Sequence, residues 1–597
     1  MDRVRAQRLA GGGIGGALAG VGVAVGVGHG GSGVADVGFV VGAALGSVAA
    51  LRGVPVALLG VAVFLARLLV VRPSLIAGVV VAVVVAALIA GLAARAFPRV
   101  APVRGHVAVA AVASVVAAVV YAVWGVTRHL RFGSGSWDHG CYLHNAWLWG
   151  HGHALSTTAV SSVLGDAAFW GGTNHFMPTL VLTAPLAWIM EATASTSLLI
   201  VAQAVVVCAA AIPLAAVARL RGLGTLTTTA LVLCFLFHMG TQAALLFDVH
   251  EIAPVPLFLF VTLWIVEAKQ PTRGWVAAVV VLLLLLAGTK ESALLYAAAA
   301  GVLLALFRPG WRAVGAAVAV CCAVAFVVVV AVVQPALLEE GSKGMIHLAR
   351  FGGGGVDGLV GRVLLHPGQT LASLISPDVK LTTIGVSGAG FGFLPFGSPE
   401  ALVLALPNLA ERFLADKREM WGLGFHYGLV GAAFLAWGAL DSLARFARPH
   451  FDVFVSVFLV GAMAASFLGS PSAPDLATFH KPYYASAIEV ERYQRALAFV
   501  DPQGPGTDAV VAQNHFLPHL ALRAHIWLPD DPGRPQGPRG RSRIERADVV
   551  VLDTAASPWP HDARHVARLV TALRQDPRFD VAFHEGTTWV FRRRSST

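Results

Sequence analysis

Long apolar segments separated by short charged connections run through the first 470 residues. A helix needs about 20 apolar residues to cross the hydrocarbon core of a bilayer. Thirteen segments approach that length, although several are shorter, and they predict a polytopic α-helical membrane protein with about 13 spans. The predicted spans are 9–29, 36–51, 53–70, 74–94, 106–126, 195–218, 224–246, 252–267, 275–288, 292–307, 312–333, 424–443 and 451–469.

Arginine and lysine residues beside the predicted spans indicate which ends face the cytoplasm. Residues Arg3, Arg5 and Arg8 place the N-terminus in the cytoplasm. Later basic residues, among them Arg221 and Arg308, agree if the apolar segments 178–190 and 400–414 do not cross, whereas Arg67 and Arg72 disagree. The outer face then carries the loops 127–178 and 334–400 and the C-terminal segment.

Residues 471–597 differ in composition from the rest of the chain. They contain 16 Lys or Arg and 14 Asp or Glu, which is normal for a soluble domain, whereas charged residues make up only 13% of the whole chain. Their pattern predicts a small α/β domain. The predicted elements are strands at 509–512 and 547–553, a helix over 562–574, and a hairpin of 581–583 with 588–591. The predicted domains are extra N-terminal helices (1–105), a membrane core (106–470) and this extracytoplasmic domain (471–597).

Composition excludes a soluble enzyme, because 56% of the residues are hydrophobic and charged residues are about half as frequent as in soluble domains. The net charge of +10 agrees with the positive-inside bias of a multispan protein, and we expect no nucleic-acid partner. The five cysteines include no CxxC pair, so the sequence implies no disulfide framework.

Loop 127–178 contains the first candidate for catalysis. Asp138 lies between Trp137 and His139, directly after a predicted span. A carboxylate at the membrane surface can take a proton from an acceptor hydroxyl while a lipid-linked donor lies in the bilayer. The alternative is a loop carboxylate that caps a juxtamembrane helix.

The same loop is rich in histidine, and neutral imidazole is a common metal ligand. The spacing is irregular and no HExxH pattern is present, so we favour a solvated or interfacial loop over a metal site. The histidines are His139, His144, His151, His153 and His175.

Three ionisable residues, Asp248, His250 and Glu251, lie between two predicted spans on the same outer face. Such groups are costly in contact with lipid and are therefore functional candidates. They would position donor or acceptor, or hold a divalent cation. The alternative is a polar turn between helices.

Two further motifs interrupt apolar segments. Lys290 and Glu291 either neutralise each other or allow Lys290 to reach the phosphate of a lipid donor. His426 and Tyr427 open a span, where an aromatic belt explains Tyr427 more readily than His426. Lys380, in loop 334–400, could steer an anionic donor, but the default expectation is a solvated side chain.

Together these motifs resemble a bacterial membrane-protein family known as domain of unknown function 2079. The likeness covers about 125–595 and leaves out the N-terminal helices. That family is similar in layout to C-type (GT-C) glycosyltransferases, which use polyprenyl-phosphate sugars and an acidic residue in the first large outer loop. The matching motifs are Trp137–Gly140, Asn174–Pro178, Leu246–Glu251, Thr289–Ser292, Gly424–Tyr427, Ala512–Asn514, Pro518–Leu520 and Ala547–Val551.

The resemblance implies that Asp138 is the catalytic base and that Lys290 lies near the donor phosphate. It also implies a bacterial plasma-membrane location, with a polyprenyl-phosphate sugar, membrane lipid and a cell-envelope acceptor as partners. The predicted substrate-binding residues are Trp137, His139, His175, Asp248, His250, Glu251, Lys290, Glu291, His426 and Tyr427.

Three functions are open at this point. An inverting, membrane-embedded sugar transferase is the first. The second is a transporter or flippase for a lipid-linked or small solute, for which polar groups near the middle of the bilayer and an internal repeat are typical. We find no repeat, and the acids cluster at one face. The third is a non-catalytic scaffold that would tolerate loss of Asp138.

Overall fold

A computed structural model describes residues 105–152, 175–334, 361, 364–415, 417–446, 452–468, 484–500, 508–529, 543–557 and 562–594. The first four predicted spans, and His153, lie outside these residues. The larger helices of the membrane core are His106–Leu130, Cys141–Gly150, Ala184–Thr193, Leu198–Ala209, Ala211–Leu220, Thr225–Leu236, Met239–Leu245, Val255–Ala268, Arg273–Ala287, Ala293–Phe307, Arg312–Val328, Pro367–Ser373, Asp378–Ala389, Pro399–Leu414, Gly428–Phe446 and Asp452–Leu468.

The described helices do not confirm 13 spans. Within these residues, three are long and apolar enough to cross a membrane: His106–Leu130, Leu198–Leu220 and Pro309–Val333. A fourth is obtained if Thr225–Leu236 and Met239–Leu245, which meet at a bend of 47°, form one broken span. The predicted spans 252–267, 275–288, 292–307 and 451–469 correspond to apolar helices of 10–17 residues, and 424–443 corresponds to the 19-residue helix Gly428–Phe446. These helices end at short polar breaks. When apolar residues are counted over a whole segment, such a break is not seen, and the segment reads as one long span.

The apolar segments 178–190 and 400–414, which are predicted not to cross the membrane, form helices. Segment 178–190 forms a 3₁₀ turn, Pro178–Thr183, followed by Ala184–Thr193. Segment 400–414 lies within Pro399–Leu414, whose first turn is capped by Ser398 through the backbone amide of Ala401.

Loop 334–400 is partly helical where it is described, and the expectation of a solvated Lys380 is wrong. Lys380 is buried, and its Nζ donates to the backbone carbonyls of Ser373 at 2.7 Å and Phe413 at 2.6 Å. The ammonium also lies 4.3 Å from the centre of the Trp421 ring. A cation beside an aromatic face and two carbonyls keeps its charge compensated although it is removed from water.

One network of charged side chains joins the ends of several core helices. Arg308 forms a two-pronged contact with Glu400 at 2.8 and 2.9 Å, and it also pairs with Glu267. Arg221 pairs with Glu267 at 2.7 Å and with Asp441 at 3.0 Å. Buried charges are tolerated when they are paired and hydrogen-bonded in this way. Basic residues that served as orientation signals therefore also hold the helices together.

The hairpin of Ala293–Phe307 and Arg312–Val328 packs through two glycines. A Cβ added at Gly301 would lie 2.6 Å from the backbone nitrogen of Ala319 and 2.7 Å from the carbonyl oxygen of Gly315. Since neither backbone atom can move aside cheaply, the two helices approach closely only because a side chain is absent.

Gly301→Ala is therefore expected to destabilise the protein by about 1–3 kcal/mol, the usual cost of overpacking. Thermal unfolding of the detergent-solubilised protein would measure the change. Gly274→Ala is the matched control, because a Cβ there meets nothing within 4 Å. Equal melting temperatures for the two variants would contradict the close packing.

The C-terminal domain contains five strands: β1 (Val510–Ala512), β2 (Ile526–Trp527), β3 (Val549–Asp553), β4 (Phe579–Glu585) and β5 (Thr588–Arg593). They form one sheet in the order β2-β1-β3-β5-β4. Strands β1, β2 and β3 are parallel, and β3, β5 and β4 are antiparallel neighbours. The domain also contains the helices Ala487–Ala498 and Ala563–Gln575. The predicted strands, helix and hairpin of this segment are all present, with ends shifted by a few residues.

Candidate functional site

Asp138 lies in a single wide helical turn, Ser136–Gly140, between two helices. The turn closes through the backbone amide of Gly140, which donates to the carbonyl of Gly135 at 3.0 Å. Gly135 in turn donates its amide to Oδ2 of Asp248 at 2.9 Å, and Asp248 forms a buried ion pair with Arg128. Asp248 thus anchors the start of the turn that carries Asp138.

His250 connects Asp138 to a second carboxylate. Its Nδ1 lies 3.8 Å from Oδ1 of Asp138 and 3.7 Å from Oε2 of Glu251. The backbone amide of His250 donates to the side-chain oxygen of Gln203 at 2.8 Å. This bond attaches the connection between Met239–Leu245 and Val255–Ala268 to helix Leu198–Ala209. Residues that are more than 100 positions apart in the sequence therefore meet around one imidazole.

Lys290 extends this cluster. Its Nζ lies 3.1 Å from Oε1 of Glu251 and 3.9 Å from Oε1 of Glu411, and it is buried. Glu251 also accepts a hydrogen bond from the hydroxyl of Tyr142. Lys290 is thus shared between Glu251, in a connection between helices, and Glu411, in helix Pro399–Leu414.

Glu291 points to a different partner. Its Oε1 lies 2.8 Å from Nδ1 of His175, and its Oε2 accepts from the backbone amide of Phe176 at 3.0 Å. The mutual neutralisation of Lys290 and Glu291, which the sequence left open, is therefore wrong as a direct pair, since Lys290 contacts Glu251 and Glu411 whereas Glu291 contacts His175.

His426 and Tyr427 join the cluster from the start of helix Gly428–Phe446. The rings of His426 and His250 are stacked, with centroids 3.3 Å apart. Tyr427 lies beside His426 and accepts a hydrogen bond from Nζ of Lys417 at 2.9 Å. Lys417 brings a second cation to the group.

Electrostatics distinguish Asp138 from its neighbours. Burial raises the pKa of Asp138 from 3.8 to about 6, with His250 working against the shift and the charges of Asp248 and Glu251 adding to it. Burial opposes the charge of Glu251 as well, yet Lys290 and His250 outweigh it and hold the pKa of Glu251 well below its ordinary value. The cluster thus combines Glu251, whose pKa is held low, with Asp138, whose pKa is raised to about 6.

His139 and Trp137, two predicted substrate-binding residues beside Asp138, are buried to different extents. His139 is buried, and its Nε2 lies 3.0 Å from the carbonyl oxygen of Thr196, away from the Asp138–His250 contact. Burial lowers the pKa of His139 to about 4, so the ring is neutral at physiological pH. Trp137 is half-buried in the same turn.

The residues present do not fit a divalent cation. Asp248 is paired with Arg128, and Glu251 with Lys290, so both carboxylates are already compensated by protein cations. In the described ranges, no group of three or more His, Cys, Asp or Glu side chains has a metal-binding arrangement. His139, His144 and His175 instead contact protein groups.

Several members of the cluster were not predicted from the sequence. Glu411, Lys417, Tyr142 and Tyr296 all contact predicted site residues or each other, and Tyr296 donates its hydroxyl to Glu411. The available signal for Glu411 was an ionisable residue in a mostly apolar segment, which is costly unless it is paired.

Fold and motifs define a polytopic helical membrane protein with an appended α/β domain. The model of the family DUF2079, described as a predicted membrane protein, matches residues 128–586. The chain belongs to this family, which confirms the resemblance derived from its motifs. Comparison with curated proteins finds no match.

Among solved structures, ArnT from Cupriavidus metallidurans bound to undecaprenyl phosphate is similar over 81% of this chain and 98% of that chain. The sequence identity is 13% and the TM-score 0.44. At that identity and TM-score we draw no conclusion from the likeness.

Proposed function

We propose that the protein is a GT-C-type glycosyltransferase that moves a sugar from a polyprenyl-phosphate donor to a cell-envelope acceptor. The site and the C-terminal domain would face the outside of the bacterial plasma membrane, and the N-terminus would face the cytoplasm. The observation that carries the proposal is the exposure of Asp138. Its side chain is 30% exposed, whereas those of Asp248 and Glu251 are 5% and 2% exposed.

Exposure combined with a raised pKa gives Asp138 the properties of a general base. A pKa of about 6 leaves the carboxylate mostly ionised at neutral pH, yet basic enough to accept a proton. In the proposed step Asp138 takes the proton of an acceptor hydroxyl while that oxygen bonds to the anomeric carbon. The bond from this carbon to the phosphate oxygen breaks, and the lipid phosphate leaves with the electron pair.

The departing phosphate needs compensation of its charge. Lys290 is already shared between Glu251 and Glu411, so its charge also balances protein carboxylates. Lys417 donates to the Tyr427 hydroxyl at 2.9 Å, and its charge lowers the pKa of Asp138. Because both cations lie beside the groups around Asp138, we assign Lys290 and Lys417 together to the donor phosphate. His250 and His426 would orient the groups around Asp138.

Transfer activity is expected to increase with pH through about 6 and to level off above it, because Asp138 must be ionised to accept the proton. At one pH unit below the midpoint the rate should be about tenfold lower than the plateau rate at high pH, because only about a tenth of Asp138 is then ionised. The phosphodiester of the donor does not titrate in this range, so the acid limb reports the enzyme. A rate independent of pH between 5 and 7.5, with the protein still monodisperse, would contradict the assignment.

The decisive test of function is transfer by the purified protein from radiolabelled polyprenyl-phosphate sugars to envelope extracts. Appearance of labelled product with release of polyprenyl phosphate supports a transferase. Movement of the intact labelled lipid across proteoliposome membranes without product would favour the flippase alternative.

A further inference from the structure

The C-terminal domain meets the membrane core at the turn that carries Asp138. In the order β2-β1-β3, the chain passes from β1 to β2 on one side and then crosses to β3 on the other side of β1. The connections that follow β1 and β3 therefore run in opposite directions, and a topological switch point lies between these two strands. Open α/β sheets usually bind ligands at the carboxyl ends of such strands. Here the segment that follows β1 lies against the membrane core.

Asn514 makes one of the direct polar contacts between the two parts, beside those of His144 with the Ala521 carbonyl and of the Ala485 amide with the Arg131 carbonyl. Oδ1 of Asn514 accepts two hydrogen bonds from Ser136, one from the backbone amide at 2.8 Å and one from the hydroxyl at 2.6 Å. Ser136 is fully buried, so neither donor has water as a substitute partner. Since Asp248 holds the amide of Gly135, two consecutive amides at the start of the turn are anchored by different parts of the chain.

Apolar and ring contacts continue the same interface. A Cβ added at Gly140 would lie 2.7 Å from Cδ2 of Leu517, which shows how closely the domain approaches the end of the turn. The ring of His519 stacks on His129 with centroids 4.2 Å apart. Phe132 belongs to the apolar cluster of the C-terminal domain. The domain therefore contacts the chain on both sides of Asp138, at 129–136 before it and at Gly140 after it.

We infer that Asn514 is a positioning residue for Asp138 and that the C-terminal domain completes the active site. This inference rests on the proposed role of Asp138 as base. Its physical basis is that Asn514 binds Ser136, which lies two residues before Asp138 in the chain. Asn514 thereby holds one of the two anchored amides at the start of the turn. A catalytic group displaced by about 1 Å can lose about 100-fold in rate.

Hydrogen exchange of peptides that cover residues 133–142 tests the anchor without any substrate. The variant Asn514→Leu keeps the approximate size of the side chain but lacks the acceptor, whereas Asn514→Asp retains it. We expect the Ser136 amide to exchange about tenfold faster in Asn514→Leu. Asn514→Asp should match the wild type, and so should Thr571→Ala, an exposed change in the same domain. Unchanged exchange in Asn514→Leu would overturn the inference.

Kinetics separate positioning from a purely structural role. In Asn514→Leu we expect kcat to fall about 10- to 100-fold with KM for the donor within about twofold. Asn514→Asp should restore kcat at high pH, and its added charge should move the acid limb of the pH profile upward. Equal kcat in wild type and Asn514→Leu would refute the positioning role. If the wild type transfers no sugar, the base assignment fails and the catalytic role of Asn514 with it, whereas hydrogen exchange still decides the anchor.

Discussion

Asp138→Asn is expected to reduce sugar transfer by at least about 100-fold, the lower range of what a general base contributes. The amide has nearly the shape of the carboxylate but cannot accept the proton of the acceptor hydroxyl. Because the donor contacts assigned to Lys290 and Lys417 are untouched, KM for the donor should remain within about twofold. Initial rates with a radiolabelled polyprenyl-phosphate sugar would measure both parameters.

The same substitution should not destabilise the protein above pH 6. The folded-state pKa of Asp138 is about 6 against an ordinary value of 3.8, so its ionisation costs folding stability as the pH rises through 6. Below about pH 4 that cost is absent. Asp138→Asn removes it, and its melting temperature at pH 7.5 should equal or exceed that of the wild type. A loss of activity with raised stability would identify a functional group rather than a packing residue.

Asp378→Asn is the matched control for this experiment. Asp378 is exposed at the start of helix Asp378–Ala389, so the same chemical change occurs without a cluster around it. We expect its rate and melting temperature to match the wild type within error. Wild-type transfer by Asp138→Asn would eliminate Asp138 as the base, and an equal loss in Asp378→Asn would show that the assay reports something other than this site.

The sequence predicted the composition of the site better than its pairing. Ionisable residues inside apolar segments are costly, and this rule alone selected Asp248, His250, Glu251 and Lys290, which the fold brings together. The rule does not state which residues pair. Lys290 and Glu291 are adjacent, but they lie in a break between helices, where consecutive side chains point in different directions. Only the packing of distant helices determines that Lys290 meets Glu251 and Glu411.

Periodicity located the α/β domain well, because short β-branched runs such as Val549–Asp553 have few alternative structures. The same method does not show where a predicted span is broken, because an apolar segment read as one piece hides a polar break within it. His238 is an example: it accepts a hydrogen bond from the amide of Gly240 and starts a new helix within the predicted span 224–246. The contact of Asn514 with Ser136 joins residues separated by 378 positions, and no local pattern indicates it.

Lys290→Met is expected to be the most destabilising single change in the cluster. The side chain of Lys290 is 8% exposed and lies between Glu251 and Glu411, so its removal leaves two carboxylates without their cation. Breaking a buried ion pair by removing one partner typically costs about 3–5 kcal/mol. We expect a lower melting temperature and a smaller monodisperse fraction after solubilisation. Lys269→Met, which removes an exposed lysine whose main contact is the Trp275 ring, should cost no more than about 1 kcal/mol.

A double variant separates the structural role of Lys290 from contact with the donor phosphate. Glu251→Gln removes one of the two carboxylates that Lys290 compensates, so Lys290→Met combined with Glu251→Gln should be more stable than Lys290→Met alone, with a coupling energy of about 1–3 kcal/mol. If Lys290 also contacts phosphate, the folded double variant should show a raised KM for the donor. A Lys290→Met variant with wild-type stability and a raised KM would instead mean that the phosphate, and not Glu251, is the main partner of this lysine.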